Sequence, residues 1–453
     1  MQALELWGGV ECSVVRVGDV WRDQIYETGH HYRLDDLDRI AALGIKTLRY
    51  PVLWERCSGE NACGWSWHDE RLERLRALGV APILGLMHHG SGPPGMSLLD
   101  EDLPAALAAH AAKVVRRYPW VQRWTPVNEP LTTARFSGLY GHWYPHRCDE
   151  RSFLRMVAVQ CRAILLAMRA IRAGNAGTSS PGAMLVQTED LGRVFSTHRL
   201  AYQAEYENER RWLSLDLLCG RVDRAHPWRQ RFIDTGLPIS WFDDFLDGEA
   251  APDVIGINHY VTSDRFLDHR TSLYPARLRG SNQRDYYVDT EAVRIALPPA
   301  SLGWRARLME TWERYGRPLA MTEVHLGCAN EGDQVRWLLE AWETALALRR
   351  EGVNMQGVTA WALFGAMDWN SLLARRDHHY EAGAWDMMSF PPRATLLASV
   401  LESLASAGGF AGAVLDQPGW WRREDRLHES ARSRRSQAVA ARGSVERGYP
   451  VAQ

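Results

Sequence analysis

The 453-residue sequence carries almost no net charge, −2 with the histidines neutral, and so lacks the basic excess that draws a protein to nucleic acid or anionic membranes. Residues 1–10 hold no basic stretch followed by an apolar run and a small-residue cleavage site. Neither a signal peptide nor a transmembrane segment is expected, and a cytoplasmic location is. Cysteine is scarce and odd in number: seven residues, spread from Cys12 to Cys328 with no C-x-x-C pair. That spacing argues against a disulfide framework and against a zinc site, leaving small buried thiols as the expectation. A dinucleotide fingerprint is missing too. Gly408-Gly409-Phe410-Ala411-Gly412 is glycine-rich, but it follows a helix rather than a strand and no βαβ unit comes after it. No cofactor and no metal are therefore expected.

What is present is the composition of a soluble globular protein, 46% hydrophobic and 24% charged, with 20 tryptophans. Most of these belong in a core, but several stand beside charged or histidine residues, where a flat apolar face with one polar handle suits the C–H face of a sugar ring. Along the chain, strand and helix alternate. Residues 35–43 carry a helical stripe of Leu37, Ile40, Ala41 and Leu43, Gly44 stops it, and a β-rich run follows at 45–50. The same grammar recurs at 69–78, Gly79 and 80–87, so that Ala42-Leu43-Gly44-Ile45 and Ala77-Leu78-Gly79-Val80 are near-copies of one helix-to-strand joint. With further strands at 4–9, 121–127, 183–188, 254–258, 319–322 and 357–361 there are eight. Apolar strands separated by helices mean a parallel sheet, and eight of them favour an α/β fold closed into a (β/α)8 TIM barrel, a single domain over residues 1–415. Residues 219–252 and 261–300 are long connections of the kind that form lids or disordered spans. Residues 416–453, rich in Arg, Ser and Gly, read as a linker-like, poorly structured tail.

A barrel of this type presents its chemistry at the C-terminal ends of its strands. Trp124-Thr125-Pro126-Val127-Asn128-Glu129-Pro130 is an apolar strand that ends on an amide, a carboxylate and a proline. Pro318-Leu319-Ala320-Met321-Thr322-Glu323 ends on a second carboxylate. Strands four and seven face each other across an eight-stranded barrel. Two carboxyl groups at one mouth are what glycoside hydrolysis needs, one protonated to release the leaving oxygen and one ionised at the anomeric carbon.

With these motifs the sequence resembles glycoside hydrolase family 1 of clan A, from Trp7 to about Asp386. The family's T-x-N-E-P motif implies that Glu129 is the acid/base and that Asn128 holds the sugar 2-hydroxyl. Met321-Thr322-Glu323-Val324-His325 is similar to its I-T-E-N-G motif, which implies that Glu323 is the nucleophile, although Val324-His325 replaces N-G. By the same likeness, Leu48-Arg49-Tyr50-Pro51 implies an arginine on Glu323, and Asn258-His259-Tyr260 implies that Tyr260 touches it from the other side. Met87-His88-His89 resembles Y-H-W and implies that His88 contacts a sugar hydroxyl. The segment from Trp361 to Trp369 resembles W-S-L-L-D-N-F-E-W, so that Trp361 forms the stacking floor while Asp368 and Trp369 bind outer hydroxyls. Three departures accompany the match. No glutamine stands in the first-strand segment, where Glu11 is the candidate substitute; Asp368 replaces a glutamate; and Tyr380-Glu381-Ala382-Gly383 lacks the phenylalanine of R-F-G. The likeness is closer still to the glycosidase-like portion that some bacterial proteins carry ahead of a dTDP-4-dehydrorhamnose reductase domain, and Gly419-Trp420-Trp421 resembles the start of their linker.

The sequence thus predicts a retaining β-glycosidase whose two carboxyl groups lie roughly 5 to 5.5 Å apart. Its partner would be a carbohydrate or glycoside substrate, with no nucleic acid and no membrane, and homo-oligomerisation stays open. Transglycosylation shares the first half-reaction, and a catalytically silent sugar-binding module of a sugar-nucleotide pathway would also suit the altered recognition residues. Arg375 and Arg376 read as an exposed charged loop or as a clamp for an anionic sugar.

Overall fold

Eight parallel strands follow one another around a closed barrel in the computed structural model, which describes residues 3–58, 63–175 and 182–428. They are β1 (Glu5–Gly9), β2 (Thr47–Pro51), β3 (Ala81–His88), β4 (Arg123–Asn128), β5 (Met184–Asp190), β6 (Val254–Asn258), β7 (Leu319–Val324) and β8 (Met355–Ala360). β8 closes the ring on β1. Every residue of β2, β6 and β7 is buried, as strands covered by helices outside and packed side chains inside must be. The eight expected strands are all present, so the TIM-barrel reading holds.

The helix-to-strand joints form as their sequence predicts. Gly44 and Gly79 take φ of +79° and +67° directly after the helices Asp36–Ala42 and Gly64–Ala77; this left-handed conformation ends a helix at little steric cost only for glycine. Trp7, Ile83, Val186, Val254 and Ala320 fill the barrel interior as one buried layer. Room for the indole is made by Gly357, where a Cβ would lie 2.4 Å from the Trp7 ring. Outside, the helices Leu103–Arg117 and Glu150–Asn175 pack against each other through buried stripes that include Leu107, Val114, Val157 and Ile164. No helix among the described residues is long and apolar enough to cross a membrane.

The long connections are ordered by their own hydrogen bonding. Residues 261–300 contribute Arg265–Asp268, Arg279–Ser281 and Tyr286–Glu291 to a four-stranded sheet completed by Val194–Ser196. Residues 219–252 include the short helices Arg229–Ile233 and Ile239–Asp243. Of the expected tail, residues 416–428 lie on the barrel. Trp421 is buried, meets the Trp337 ring edge-on at 5.1 Å and donates from Nε1 to Glu340 Oε2 at 2.9 Å. Residues 429–453 of that expectation lie outside the described residues.

Candidate active site

The register of the barrel brings the ends of its strands to one level. His88 on β3 pairs with Asn128 on β4, while Asn258 on β6 pairs with Asp190 on β5 and Glu323 on β7. Above them opens a cavity of about 790 Å³, whose wall includes Glu11, Glu129, Tyr260, Glu323, Trp361 and Trp369.

Glu323 is a buried carboxylate held from two sides. Arg49 Nη1 donates to its Oε1 at 2.9 Å, and the Tyr260 hydroxyl donates to Oε2. Arg49 is itself fixed by Nη1 to Thr322 O at 2.6 Å and by Nη2 to Asn128 Oδ1 at 2.6 Å. Its guanidinium lies 4.7 Å from the centre of the Trp361 ring. Burial raises the Glu323 carboxyl above its ordinary range, while Arg49 and Tyr260 pull it back by stabilising the charged form.

Glu129 stands in different surroundings. It adopts φ +47° just ahead of the short helix Pro130–Ala134, whose first free amides, Leu131 N and Thr132 N, donate to Glu189 at 3.0 and 3.2 Å. Glu189 also accepts from Ser214 Oγ at 2.7 Å, so a fully buried carboxyl group on β5 pins the turn that presents Glu129. Among the described residues no arginine or lysine pairs with Glu129. Asn258 Nδ2 donates to its Oε1 at 2.5 Å, and His89 Nε2 lies 3.7 Å from Oε2. Burial, followed by the charges of Glu323, Asp190 and Glu189, pushes its carboxyl well above the ordinary range.

Asn128 and His88 lie beneath the cavity rather than on its wall. They line a small crevice with Cys12, Arg49 and Trp361. The Asn128 amide is taken up by Arg49, by Thr188 Oγ1 at 2.7 Å and by His88 Nε2 at 3.1 Å, and His88 stacks on Trp361 at 5.6 Å. Asn258 is likewise committed, accepting from Thr322 Oγ1 at 2.6 Å while donating to Glu129. Asp368, expected to bind outer hydroxyls, is withdrawn from the cavity. Its Oδ2 accepts from Arg22 Nη2 at 2.7 Å and its Oδ1 from His379 N at 2.8 Å, because a buried carboxylate must spend its lone pairs on the donors beside it. Trp369 does reach the wall, and its buried indole N–H has no hydrogen-bond partner among the described residues. Glu11 Oε1 accepts from Ser13 N at 2.9 Å and Ser13 Oγ at 2.6 Å. Its carboxyl is pushed up to about 7, by burial first and by Glu323 in addition.

Several wall residues were not singled out from the sequence. His89 and Asp190 lie at the ends of β3 and β5 and could have been found by extending the strand-end rule to every strand. His325 and Glu381, 3.3 Å apart, fall within the two segments where the family motif breaks down. Trp420 and Arg294 meet at the rim, the guanidinium 4.3 Å from the ring centre; nothing local in the sequence joins them. Arg375 pairs with Asp377 at 3.0 Å in an exposed loop, the plainer of the two readings offered for it.

A closed (β/α)8 barrel with two buried carboxyl groups and Trp361 around one cavity at its mouth is the arrangement expected of a glycoside-cleaving barrel. The profile described as glycosyl hydrolase family 1 matches residues 18–377, and the chain belongs to that family. It is a glycoside hydrolase acting on O-glycosyl bonds. Furcatin hydrolase from Viburnum furcatum is 22% identical over 418 residues, covering 76% of this chain and 70% of the relative. β-Glucosidase A from Thermotoga maritima is 20% identical over 388 residues, covering 76% and 79%. The structure of a family 1 β-glucosidase from Thermotoga maritima superposes with a TM-score of 0.69 at 16% identity, over 90% of this chain and 98% of that one.

Proposed function

We propose that the chain is a retaining β-glycosidase working by double displacement, with Glu323 as nucleophile and Glu129 as acid/base. The observation that carries this reading is the asymmetry between the two carboxyl groups. Glu323 has a cation and a phenol donating to it, which favours the ionised form; Glu129 has carboxylates for neighbours and, among the described residues, no arginine or lysine partner, which favours the protonated one. In the first step the Glu323 carboxylate attacks the anomeric carbon while Glu129 transfers its proton to the departing glycosidic oxygen. In the second, the Glu129 carboxylate takes a proton from water, whose oxygen displaces Glu323 from the anomeric carbon. Two inversions leave the configuration retained, a route that suits carboxyl groups roughly 5 to 5.5 Å apart. Arg49 and Tyr260 hold Glu323 in line, and Asn128 and His88 brace Arg49 and Trp361 from below.

The substrate class is a β-linked pyranoside. Support comes from relatives described as β-glucosidases and from Thermotoga maritima β-glucosidase structures in complex with cyclophellitol and deoxynojirimycin. The test is cleavage of a panel of aryl β-glycosides by the wild type, Glu129→Ala and Glu323→Ala with azide present. Azide should rescue Glu129→Ala to a β-glycosyl azide and Glu323→Ala to the α-anomer. A wild type that cleaves no member of the panel, or rescue products of the opposite anomers, would overturn the assignment.

A further inference from the structure

His89 is a titratable wall residue whose Nε2 lies 3.7 Å from the acid/base, and the mechanism above gives it no task. It is buried at the end of β3 with φ +58°, a conformation disfavoured for a side chain with a Cβ and held here by packing on all sides. Its ring lies 5.1 Å from that of Trp143 and 5.7 Å from that of Trp369. Nδ1 stands 2.9 Å from Thr133 Oγ1, which leaves Nε2 directed at Glu129 Oε2, 3.7 Å away. The two oxygens of Glu129 therefore differ. Oε1 already accepts from the amide of Asn258, so a proton there would meet a donor; Oε2 faces a ring nitrogen.

We propose that Asn258 and His89 together place the acid proton of Glu129 on Oε2, with His89 as a neutral acceptor that keeps the acid loaded. With Nδ1–H donated to Thr133 Oγ1, Nε2 carries a lone pair. An acceptor facing Oε2 favours the protonated acid and disfavours the carboxylate. His89 is suited to the neutral state: burial, aided by Arg49, pushes its imidazole down to about 3. The other charged or titratable groups acting on Glu129 are Glu323 on β7, Asp190 and Glu189 on β5, with Tyr260 beyond β6 near both carboxylates. None of these is altered by changing His89 or Thr133. At 3.7 Å the contact is longer than a hydrogen bond, so the proposal includes its tightening in the Michaelis complex, as catalytic hydrogen bonds commonly do. His89 is thus a positioning residue, acting through Glu129. The inference rests on the proposed role of Glu129 as the acid.

The experiment compares kcat/KM against pH for a phenyl β-glycoside, whose departure needs a proton, and a 2,4-dinitrophenyl β-glycoside, whose departure does not. The enzymes are the wild type, His89→Gln, Thr133→Val and Glu129→Ala. Thr133→Val keeps the side-chain shape and removes the acceptor for Nδ1–H, so that the ring takes the Nε2–H form and donates to the carboxylate. Both His89→Gln and Thr133→Val should move the basic limb of the phenyl glycoside profile down by about one pH unit, with roughly a tenfold loss at pH 7.5. The dinitrophenyl glycoside should lose less than threefold. An unmoved basic limb, or equal losses on the two substrates, overturns the role of His89. If Glu129→Ala also loses both substrates equally, or the wild type cleaves neither, the acid assignment itself fails and this inference with it.

Discussion

Arg22 Nη2 and Asp368 Oδ2 lie 2.7 Å apart in an ion pair whose side chains are only 3% and 2% exposed. The pair ties the hairpin of Val14–Val17 and Val20–Asp23 to the loop after β8. Removing one partner of such a pair strands a buried charge, a loss of about 3–5 kcal/mol. Arg22→Met should therefore lower the unfolding free energy by that order in denaturant melts. KM for a small aryl glycoside should change less than threefold at temperatures where the variant is folded. A large KM effect with little loss of stability would return Asp368 to the sugar site.

Glu11 offers a second prediction, in the pH profile. It borders the same cavity as Glu323, is pushed up to about 7 and adds a negative charge there as it ionises. The wild-type kcat/KM should show an inflection near pH 7 that Glu11→Gln lacks. Because Glu11 is still protonated, and so uncharged, where Glu323 ionises, the acid limb set by Glu323 should be the same in Glu11→Gln as in the wild type. An identical profile in the variant would mean that Glu11 is silent in this range.

The barrel was legible in the sequence because each strand is an apolar run closed by a glycine joint or a polar terminus, signals that act over a few residues. The pair Glu129 and Glu323 was legible for the same reason, each ending such a run. What a motif cannot convey is who reaches a side chain first. Asp368 stands at a matching position, yet Arg22, 346 residues away in sequence, takes its carboxylate. Asn128 likewise spends its amide on Arg49 and Thr188. Residues 261–300 looked like a loop because their strands are short and rich in Arg, Asp and Tyr; they pair with one another, and Arg265–Asp268 also pairs with Val194–Ser196, a partner outside the segment. Residues 416–428 have no apolar periodicity, since they are held through single anchors such as Trp421 rather than through a continuous face.

Glu55 gives a stability prediction with a definite sign. Its Oε1 accepts from Gly92 N at 3.0 Å, but Oε2 is buried with no partner among the described residues, and burial pushes the carboxyl up to about 7. A carboxyl whose folded value lies above its unfolded one binds protons more tightly in the folded state, so stability is lost as pH rises from about 4.5 through 7. Glu55→Gln cannot ionise. Relative to the wild type it should be more stable at pH 8, by roughly 1–3 kcal/mol, and nearly equal at pH 4. A difference independent of pH would show that the carboxyl does not titrate on unfolding.

The Trp421 anchor can be tested by truncating its side chain. Trp421→Ala should lower the unfolding free energy by about 3 kcal/mol, the usual order for a buried tryptophan. It should also loosen Trp420 at the cavity rim, raising KM for a glycoside with an extended aglycone more than for a phenyl glycoside. Equal KM values for the two substrates would separate the anchor from the cavity.

The rim contact between Trp420 and Arg294 joins a turn beyond the last barrel helix to the end of a side sheet, and neither residue belongs to a barrel strand. The proposed function therefore assigns recognition of the leaving group and cleavage of the bond to separable parts of the chain. A library randomised at positions 294 and 420 would sample new entrances over an untouched pair of carboxyl groups, which makes this rim the natural place to begin redesigning the enzyme for a different aglycone.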